Sequence, residues 1–194
     1  MPESLKRLCA DLLRYGAKAQ TFKAYRLDAL ADASMTESHR AYLSDGEGVT
    51  FGNNDAVLSD LPNAPTKWIG KGLSLESKVC LRLVFSMDTY GGKLEDLHLR
   101  VCYAGIDGEE KTRIFDNAEL YNEEKGLYSF TVDTLLAAEL RSIVSAQIYS
   151  GETPLSCTLQ YSADTYGNNK SGALLELCKA LFAYSDSAKA FFAG

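Results

Sequence analysis

Apolar residues recur at intervals of three and four near the start of the chain, at Leu5, Leu8, Leu12, Tyr15, Ala19 and Phe22. Residues at these intervals share one face of an α-helix. Ser4 is a suitable N-cap residue, so the pattern predicts an amphipathic helix over about 4–25. Leu12, Tyr15 and Phe22 are expected to face the core.

The same spacing returns at the end of the chain, at Leu174, Leu177, Leu181, Tyr184, Ala188 and Phe191. It predicts a second amphipathic helix over about 172–193, with Leu181, Tyr184 and Phe191 in the core. At an offset of 169, residues 5–24 and 174–193 are identical at eight of 20 positions, cysteine and tyrosine included. A shared structural role, with the helices side by side or against equivalent surfaces, explains this match better than chance.

Between 67 and 161 the period of the apolar positions changes from 3.6 to 2. Apolar and polar residues alternate over 79–86 and 97–103, as in half-buried strands, and His98 and Arg100 fall on the outward face. Further strands are predicted over 113–116, 118–122, 127–132, 142–149 and 154–161. Turn sequences that predict hairpin tips lie at 90–93, 106–108 and 122–126.

Residues 26–66 lack a sustained period, and Gly, Asn, Asp and Pro are frequent from 45 to 65. We expect irregular chain there, with a helical turn at 37–43 and a short edge strand at 49–51. Six to eight sequential strands without crossover helices predict an α+β fold, in which an antiparallel β-sandwich or curved sheet is flanked by the two related helices. A single domain over 1–194 is expected.

Composition and charge narrow the classes of partner. With 46% hydrophobic and 24% charged residues, the chain has the composition of an ordinary globular protein. Its net charge of −6 repels nucleic-acid phosphates and anionic lipid. No apolar run approaches the roughly 18 residues of a membrane span, so we expect no nucleic-acid partner and no membrane insertion within this chain. Because a helical pattern follows Met1 and Pro2 directly, the chain is expected to be a fragment of a longer protein.

The five cysteines, at 9, 80, 102, 157 and 178, form no CxxC pair. Most of them occupy apolar positions of helix or strand patterns, which favours buried, reduced thiols. The alternative is a disulfide between Cys9 and Cys178, which requires these positions to face each other across neighbouring helices.

Motifs for catalysis or cofactor binding are absent: the sequence contains no GxSxG, P-loop or GxGxxG segment. Its two histidines, His39 and His98, are interpreted as solvated. Most carboxylates lie in turns beside Lys or Arg, which favours a solvated rim over an acid–base pair. We therefore expect no catalytic residue, cofactor or metal. A chemically reasonable calcium site without EF-hand spacing would comprise Asp45, Glu47, Asn53, Asn54 and Asp55.

Aromatic residues are the better functional lead, since the chain has 11 Tyr and one Trp. Trp68, Tyr90, Tyr121 and Tyr166 lie near turns, where sugar rings could stack on them. These four are the candidate ligand-binding residues. Trp68 could equally plug one end of the sandwich, and partial burial of its indole is expected.

The segment Leu13–Phe22, LRYGAKAQTF, resembles the YGAxAQxYF segment of a module near the C-terminal parts of large secreted or surface proteins of Gram-positive gut bacteria. Residues 72–82, 161–162 and 179–184 are similar to later parts of that module. The resemblance implies an extracellular or cell-surface location in a multidomain protein. It implies no catalytic mechanism.

Glu76 and Arg82 fall within the matching segments and share the outward parity of their strand. An ion pair across a strand corner is expected, and the alternative is that Arg82 is presented to a carboxylate ligand. Together these features indicate a non-catalytic structural or interaction module of a bacterial extracellular protein, with a glycan or protein as partner. A glycan-binding module is the first alternative, and a carboxylate-based hydrolase the next.

Overall fold

The computed structural model describes residues 1–44, 48–76 and 78–194. Its α-helices are α1 (Glu3–Lys23), α2 (Glu37–Arg40) and α3 (Gly172–Ala193). The strands are β1 (Ala56–Val57), β2 (Lys67–Ser74), β3 (Cys80–Ser86), β4 (Leu97–Ala104), β5 (Glu110–Phe115), β6 (Glu119–Asn122), β7 (Leu127–Val132), β8 (Val144–Ser150), β9 (Thr153–Pro154) and β10 (Leu159–Tyr161). Both predicted terminal helices are confirmed to within two residues. Within the described ranges, no helix combines the length and the apolar character needed to cross a bilayer.

The strands form two antiparallel sheets, which confirms the predicted α+β class. The larger sheet has the order β1-β10-β8-β4-β5, with β9 paired to β8, and the smaller has the order β2-β3-β7-β6. Contacts divide the chain into two compact units. The first comprises 1–52, 136–141 and 166–194, and the second, which holds both sheets, comprises 53–135 and 142–165.

The core of the second unit follows the predicted alternation in β4 and β8, whereas β3 also buries Val84, which has the opposite parity. Leu83 and Phe85 of β3 are fully buried, whereas Arg82 between them keeps solvent contact. Phe85 stacks on Phe130 of β7 with ring centroids 5.3 Å apart. The apolar residues of β4 and β8 are buried in the same alternating way, as expected for half-buried strands.

The turn predictions have mixed outcomes. Segments 106–108 and 122–126 do connect paired strands, β4 with β5 and β6 with β7. The predicted hairpin at 90–93 is wrong, because the strands on its two sides, β3 and β4, belong to different sheets. The edge strand predicted at 49–51 is also absent, and a two-residue strand lies at Ala56–Val57 instead.

The strand predicted over 154–161 is divided into β9 and β10. The Ser156 hydroxyl interrupts the ladder, because its Oγ accepts the backbone N–H of Ile148 at 2.9 Å. The Ser156 carbonyl in turn accepts from the Gln147 side-chain amide at 2.9 Å. Side-chain hydrogen bonds thus replace the backbone pairing that a continuous strand would make.

In the first unit, α1 and α3 pack antiparallel. Asp11 contacts Ser187, Tyr15 stacks on Tyr184 with centroids 6.0 Å apart, and Lys18 pairs with Glu176 at 3.4 Å. Along this interface the residue numbers of the α3 contacts decrease as those of the α1 contacts increase, as in any antiparallel helix pair. Tyr15 and Tyr184, which occupy equivalent positions of the two matching stripes, are in contact at the centre of this pairing.

The two matching apolar stripes are not equally buried. Leu181 is 1% exposed, as predicted, but its counterpart Leu12 is 45% exposed, so the prediction for Leu12 is wrong. The α3 helix is covered by α1 and by the 3₁₀ turn Ala137–Glu139, to which Ser185 donates a hydrogen bond at 2.7 Å. The more exposed α1 helix buries only Ala10, Asp11 and Ala17. Four further stripe residues are half-buried: Tyr15, Phe22, Tyr184 and Phe191.

A buried carboxylate anchors α1, a feature that the apolar pattern did not predict. The Asp11 side chain is fully buried and accepts the backbone N–H of Ser44 at 3.0 Å. The hydroxyls of Ser44 and Ser187 both donate to its Oδ2. Arg14 completes the group with a 3.2 Å ion pair to Asp11 and a hydrogen bond to the Ser44 carbonyl. This network links α1, α3 and the segment that follows α2.

All five cysteines are free thiols, but the predicted burial of their side chains holds for only some of them. Cys80 and Cys178 are buried, Cys102 and Cys157 are half-buried, and Cys9 is exposed. Burial raises the pKa of Cys178 to about 11. The antiparallel packing places Cys9 and Cys178 roughly 15 Å apart along the helix axes, at about 1.5 Å per residue, so the two positions do not face each other.

The C-terminus of α1 is capped by a residue in the left-handed conformation. Ala24 has φ 51°, and the next N–H, of Tyr25, returns to the Gln20 carbonyl at 2.9 Å. Glycine adopts this conformation without strain from a Cβ atom.

We therefore expect Ala24→Gly to raise the free energy of unfolding by about 0.5–1 kcal/mol, measured by urea denaturation. Ala19→Gly is the control, since α1 is regular there and glycine should destabilise it. Equal losses of stability in the two variants would contradict the argument.

Candidate functional site

The four sequence-predicted aromatic residues lie on different elements of the chain. Trp68 lies on β2 and Tyr121 on β6, which are opposite edges of the smaller sheet. Tyr90 lies in the connection between β3 and β4, within the second unit. Tyr166 belongs to the first unit. Within the smaller sheet, β3 and β7 separate Trp68 from Tyr121, so these two residues do not share one stacking platform.

Trp68 is half-buried and has an internal partner for its indole nitrogen. Nε1 donates to the Cys157 carbonyl at 2.8 Å, and the ring packs edge-on against Phe85 with centroids 6.3 Å apart. A buried indole needs such a partner for its N–H. These contacts are those of a plug at the end of a core, which was the expected partial burial.

Tyr90 and Tyr166 are also half-buried and make local contacts. The Tyr90 hydroxyl donates to Ser150 at 3.3 Å, and its ring covers Gly92, where a Cβ atom would lie 2.3 Å from the hydroxyl oxygen. Lys170 lies over the Tyr166 ring at 4.0 Å. Desolvation, followed by the nearby Cys178, raises the pKa of Tyr166.

Tyr121, Arg82 and Glu76 are brought together beside the smaller sheet. The Arg82 guanidinium forms the expected ion pair with Glu76 at 3.5 Å and lies 6.0 Å from the Tyr121 ring centroid. The Glu76 side chain is 72% exposed, and an ion pair that is so open to solvent adds little stability.

A denser cluster lies on the outer face of the larger sheet, on neighbouring strands β4 and β8. The register between β4 and β8 places His98 opposite Tyr149 and Arg100 opposite Gln147. All four side chains point away from the buried alternate positions and are half-buried. These four residues are called the outer-face cluster below.

Stacking and hydrogen bonds hold the outer-face cluster together. The His98 and Tyr149 rings are nearly parallel, with centroids 5.7 Å apart, and the Arg100 guanidinium lies 4.3 Å from the Tyr149 centroid. The Tyr149 hydroxyl donates to Gln147 Oε1 at 2.7 Å. Because each side chain is restrained by a neighbour, the cluster presents its polar groups in a fixed arrangement.

The charge of Arg100 is matched by an exposed carboxylate. Glu152 follows β8 and accepts from Arg100 at 3.1 Å, with its own side chain 91% exposed. The hydrogen bond to Glu152 is the main reason that the pKa of Arg100 is raised. Since Glu152 is almost fully solvated, a ligand carboxylate or hydroxyl can replace it at little cost.

The outward parity of His98 and Arg100 was predicted, but neither was proposed as a ligand-binding residue, and Tyr149 and Gln147 were missed entirely. A signal for them exists in the alternation of 144–149, which places Ser145, Gln147 and Tyr149 on one face. What the sequence does not contain is the pairing register that brings these residues beside His98 and Arg100.

Several carboxylates near the sheets are engaged in ion pairs with lysines. Asp88 pairs with Lys67 at 2.7 Å, and this hydrogen bond lowers the pKa of Asp88. In the part of the chain that the structure describes, no three His, Cys, Asp or Glu side chains are grouped to hold a metal. Of the hypothetical calcium ligands, Asp45 and Glu47 lie outside the described residues, and Asp55 pairs with Lys71 at 3.0 Å.

Residues of the YGAxAQ segment make structural contacts within the first unit. Gly16 is needed because a Cβ there would lie 2.9 Å from the Ala31 Cβ. The Gln20 side-chain amide donates to the Ala29 carbonyl at 3.0 Å and accepts the Ala31 N–H at 2.6 Å. The segment therefore fastens the chain after α1 onto that helix, and none of these contacts requires a ligand.

Comparison with known proteins found no matching family model, no matching curated protein and no matching solved structure. The resemblance to a bacterial surface module therefore stays a prediction from the sequence.

Proposed function

We propose that this chain is a non-catalytic interaction module of a bacterial extracellular or cell-surface protein and that it binds glycans. The observation that carries the proposal is the outer-face cluster of His98, Arg100, Gln147 and Tyr149. Binding requires neither bond cleavage nor a metal, so it uses only the groups that the cluster offers.

The chemistry of the cluster suits a ligand rich in oxygen atoms. A guanidinium supplies several N–H donors in a fixed planar arrangement, and the Tyr149 ring holds that of Arg100 in place. His98 and Gln147 add groups that can donate or accept beside it. Sugars present closely spaced hydroxyls, which match such a group of neighbouring donors and acceptors.

The position of the cluster also favours recognition of an extended ligand. It lies in the middle of the larger sheet, with β5 on one side and β10 on the other. Some neighbouring outward positions are small or polar, as Cys102, Thr112 and Gln160 are. In contrast, Ile114, which pairs with Arg100, is an exposed apolar residue. A chain of sugar units could therefore continue from the cluster along Cys102 and Thr112 or toward Gln160.

The test is a screen of bacterial wall and host glycans on an array, followed by calorimetry on any ligand found. Arg100→Ala and Tyr149→Ala should each weaken binding about tenfold or more, as expected for central contacts of an interface. Arg113→Ala and Tyr121→Ala are matched controls. Arg113 pairs with the inward-facing Val101, and Tyr121 is on the other sheet.

Absence of binding across the whole array would contradict the proposal. So would a bound glycan whose affinity is unchanged by both Arg100→Ala and Tyr149→Ala. Loss of binding in Tyr121→Ala alone would move the site to the Arg82–Tyr121 pair and refute the assignment to the outer-face cluster.

A further inference from the structure

A cavity of about 460 Å³ lies within the first unit, between the start of α1 and the segment that contains α2. Its volume falls in the range of small-molecule sites, about 300–1,000 Å³. The walls are mainly apolar: Ala10 and Leu13 come from α1, and Met35 precedes α2. This cavity shares no residue with the outer-face cluster.

The ammonium group of Lys6 lines this mainly apolar cavity. Lys6 is half-buried, and its Nζ donates to the Tyr42 hydroxyl at 3.0 Å and lies 4.8 Å from the centre of that ring. Among the described residues, no carboxylate forms an ion pair with Lys6. Neighbouring basic residues of α1 do have such partners, since Arg7 pairs with Glu3 and Arg14 with Asp11.

We infer that the cavity binds an aliphatic carboxylic acid, with the alkyl chain between Leu13 and Met35 and the carboxylate on Lys6. Burying the chain removes apolar surface from water, which supplies most of the affinity. The charge-assisted hydrogen bond to Lys6 supplies the preference for an anionic head group. Tyr42, already bonded to Lys6, keeps the ammonium at the cavity wall.

Cys9 provides a built-in reporter of occupancy. Its side chain lines the same cavity, and its residue is exposed, whereas the other four thiols are buried or half-buried. A bound alkyl chain should therefore shield Cys9 from a thiol reagent. Alkylation of each cysteine by iodoacetamide can be followed separately by peptide mass spectrometry.

The experiment compares decanoate, decanol and decyltrimethylammonium, all below their aggregation limits, as protectants of Cys9. Decanoate should slow Cys9 alkylation in proportion to its occupancy measured by calorimetry, with decanol weaker and the cation without effect. Lys6→Met should weaken decanoate binding about tenfold or more. Arg7→Met, which removes a neighbouring exposed cation, should leave decanoate binding unchanged.

A pair of adjacent leucines tests the location. Leu13 lines the cavity and is 36% exposed, while Leu12 is 45% exposed and does not line it. Leu13→Glu places a carboxylate in the apolar wall and should abolish protection by decanoate, whereas Leu12→Glu should preserve it. Far-UV circular dichroism and a urea melt establish that each variant is folded.

Three results would overturn the inference. The first is unchanged Cys9 alkylation at saturating decanoate in the native protein. The second is equal affinity for decanoate and decanol together with no effect of Lys6→Met, which would remove the role of the carboxylate. The third is equal loss of protection in folded Leu12→Glu and Leu13→Glu, which would place the ligand elsewhere on α1.

Discussion

Replacing Asp11 with alanine is expected to lower the free energy of unfolding by about 3–5 kcal/mol. The change leaves the half-buried hydroxyl of Ser44 and the buried hydroxyl of Ser187 without their carboxylate acceptor and removes the ion pair of Arg14. A buried polar group that loses its hydrogen-bond partner stays shielded from water, so the free-energy cost of its desolvation is no longer compensated. Urea denaturation followed by circular dichroism measures the loss.

Glu3→Ala is the control for this experiment. Glu3 is also an acidic residue of α1 that pairs with an arginine, but its side chain is 76% exposed. Its removal should leave the urea midpoint nearly unchanged. If Asp11→Ala were as stable as Glu3→Ala, the network around Asp11 would not be an anchor of the helix pair.

Leu181→Ala should cost about 2–5 kcal/mol, while Leu12→Ala should change stability by less than about 0.5 kcal/mol. The two leucines occupy equivalent positions of the matching stripes, yet Leu181 is 1% exposed and Leu12 is 45% exposed. Truncation of Leu181 opens a cavity inside the first unit. Truncation of Leu12 opens no cavity, because its side chain is already exposed to solvent. The comparison isolates burial, because residue type, substitution and helical position are the same.

Thermal and urea melts of the two variants give the result directly. Equal losses would mean that α1 is covered in solution by something that buries Leu12. Near-native stability of Leu181→Ala would contradict the assignment of α3 to the core of the first unit.

Much of the secondary structure follows from periodicity alone. The 3.6-residue spacing predicted both terminal helices, and the two-residue alternation predicted β3, β4 and β7. These patterns are local, so they are visible without knowledge of the partner. The equal stripes of α1 and α3 could not reveal which helix is enclosed, because that depends on what packs against the second side of α3.

A turn sequence is also a local signal, so it does not specify which strands the turn connects. The sequence of 90–93 favours a chain reversal, but a reversal can join two strands of one sheet or carry the chain to another sheet. The candidate site shows the limit again. Outward parity placed His98 and Arg100 on the solvent side of β4 without marking them as a site, while their neighbours Gln147 and Tyr149 are specified by the register between β4 and β8, which is a tertiary property.

The pairing of α1 with α3 has a consequence for the order of events during synthesis. Asp11 and Ser187 are separated by 176 positions, so closing this contact carries the entropy cost of a long loop. On the ribosome, α1 has no α3 to pack against until nearly the whole chain has emerged. The amphipathic face of α1 must therefore stay without its partner helix throughout translation of both sheets.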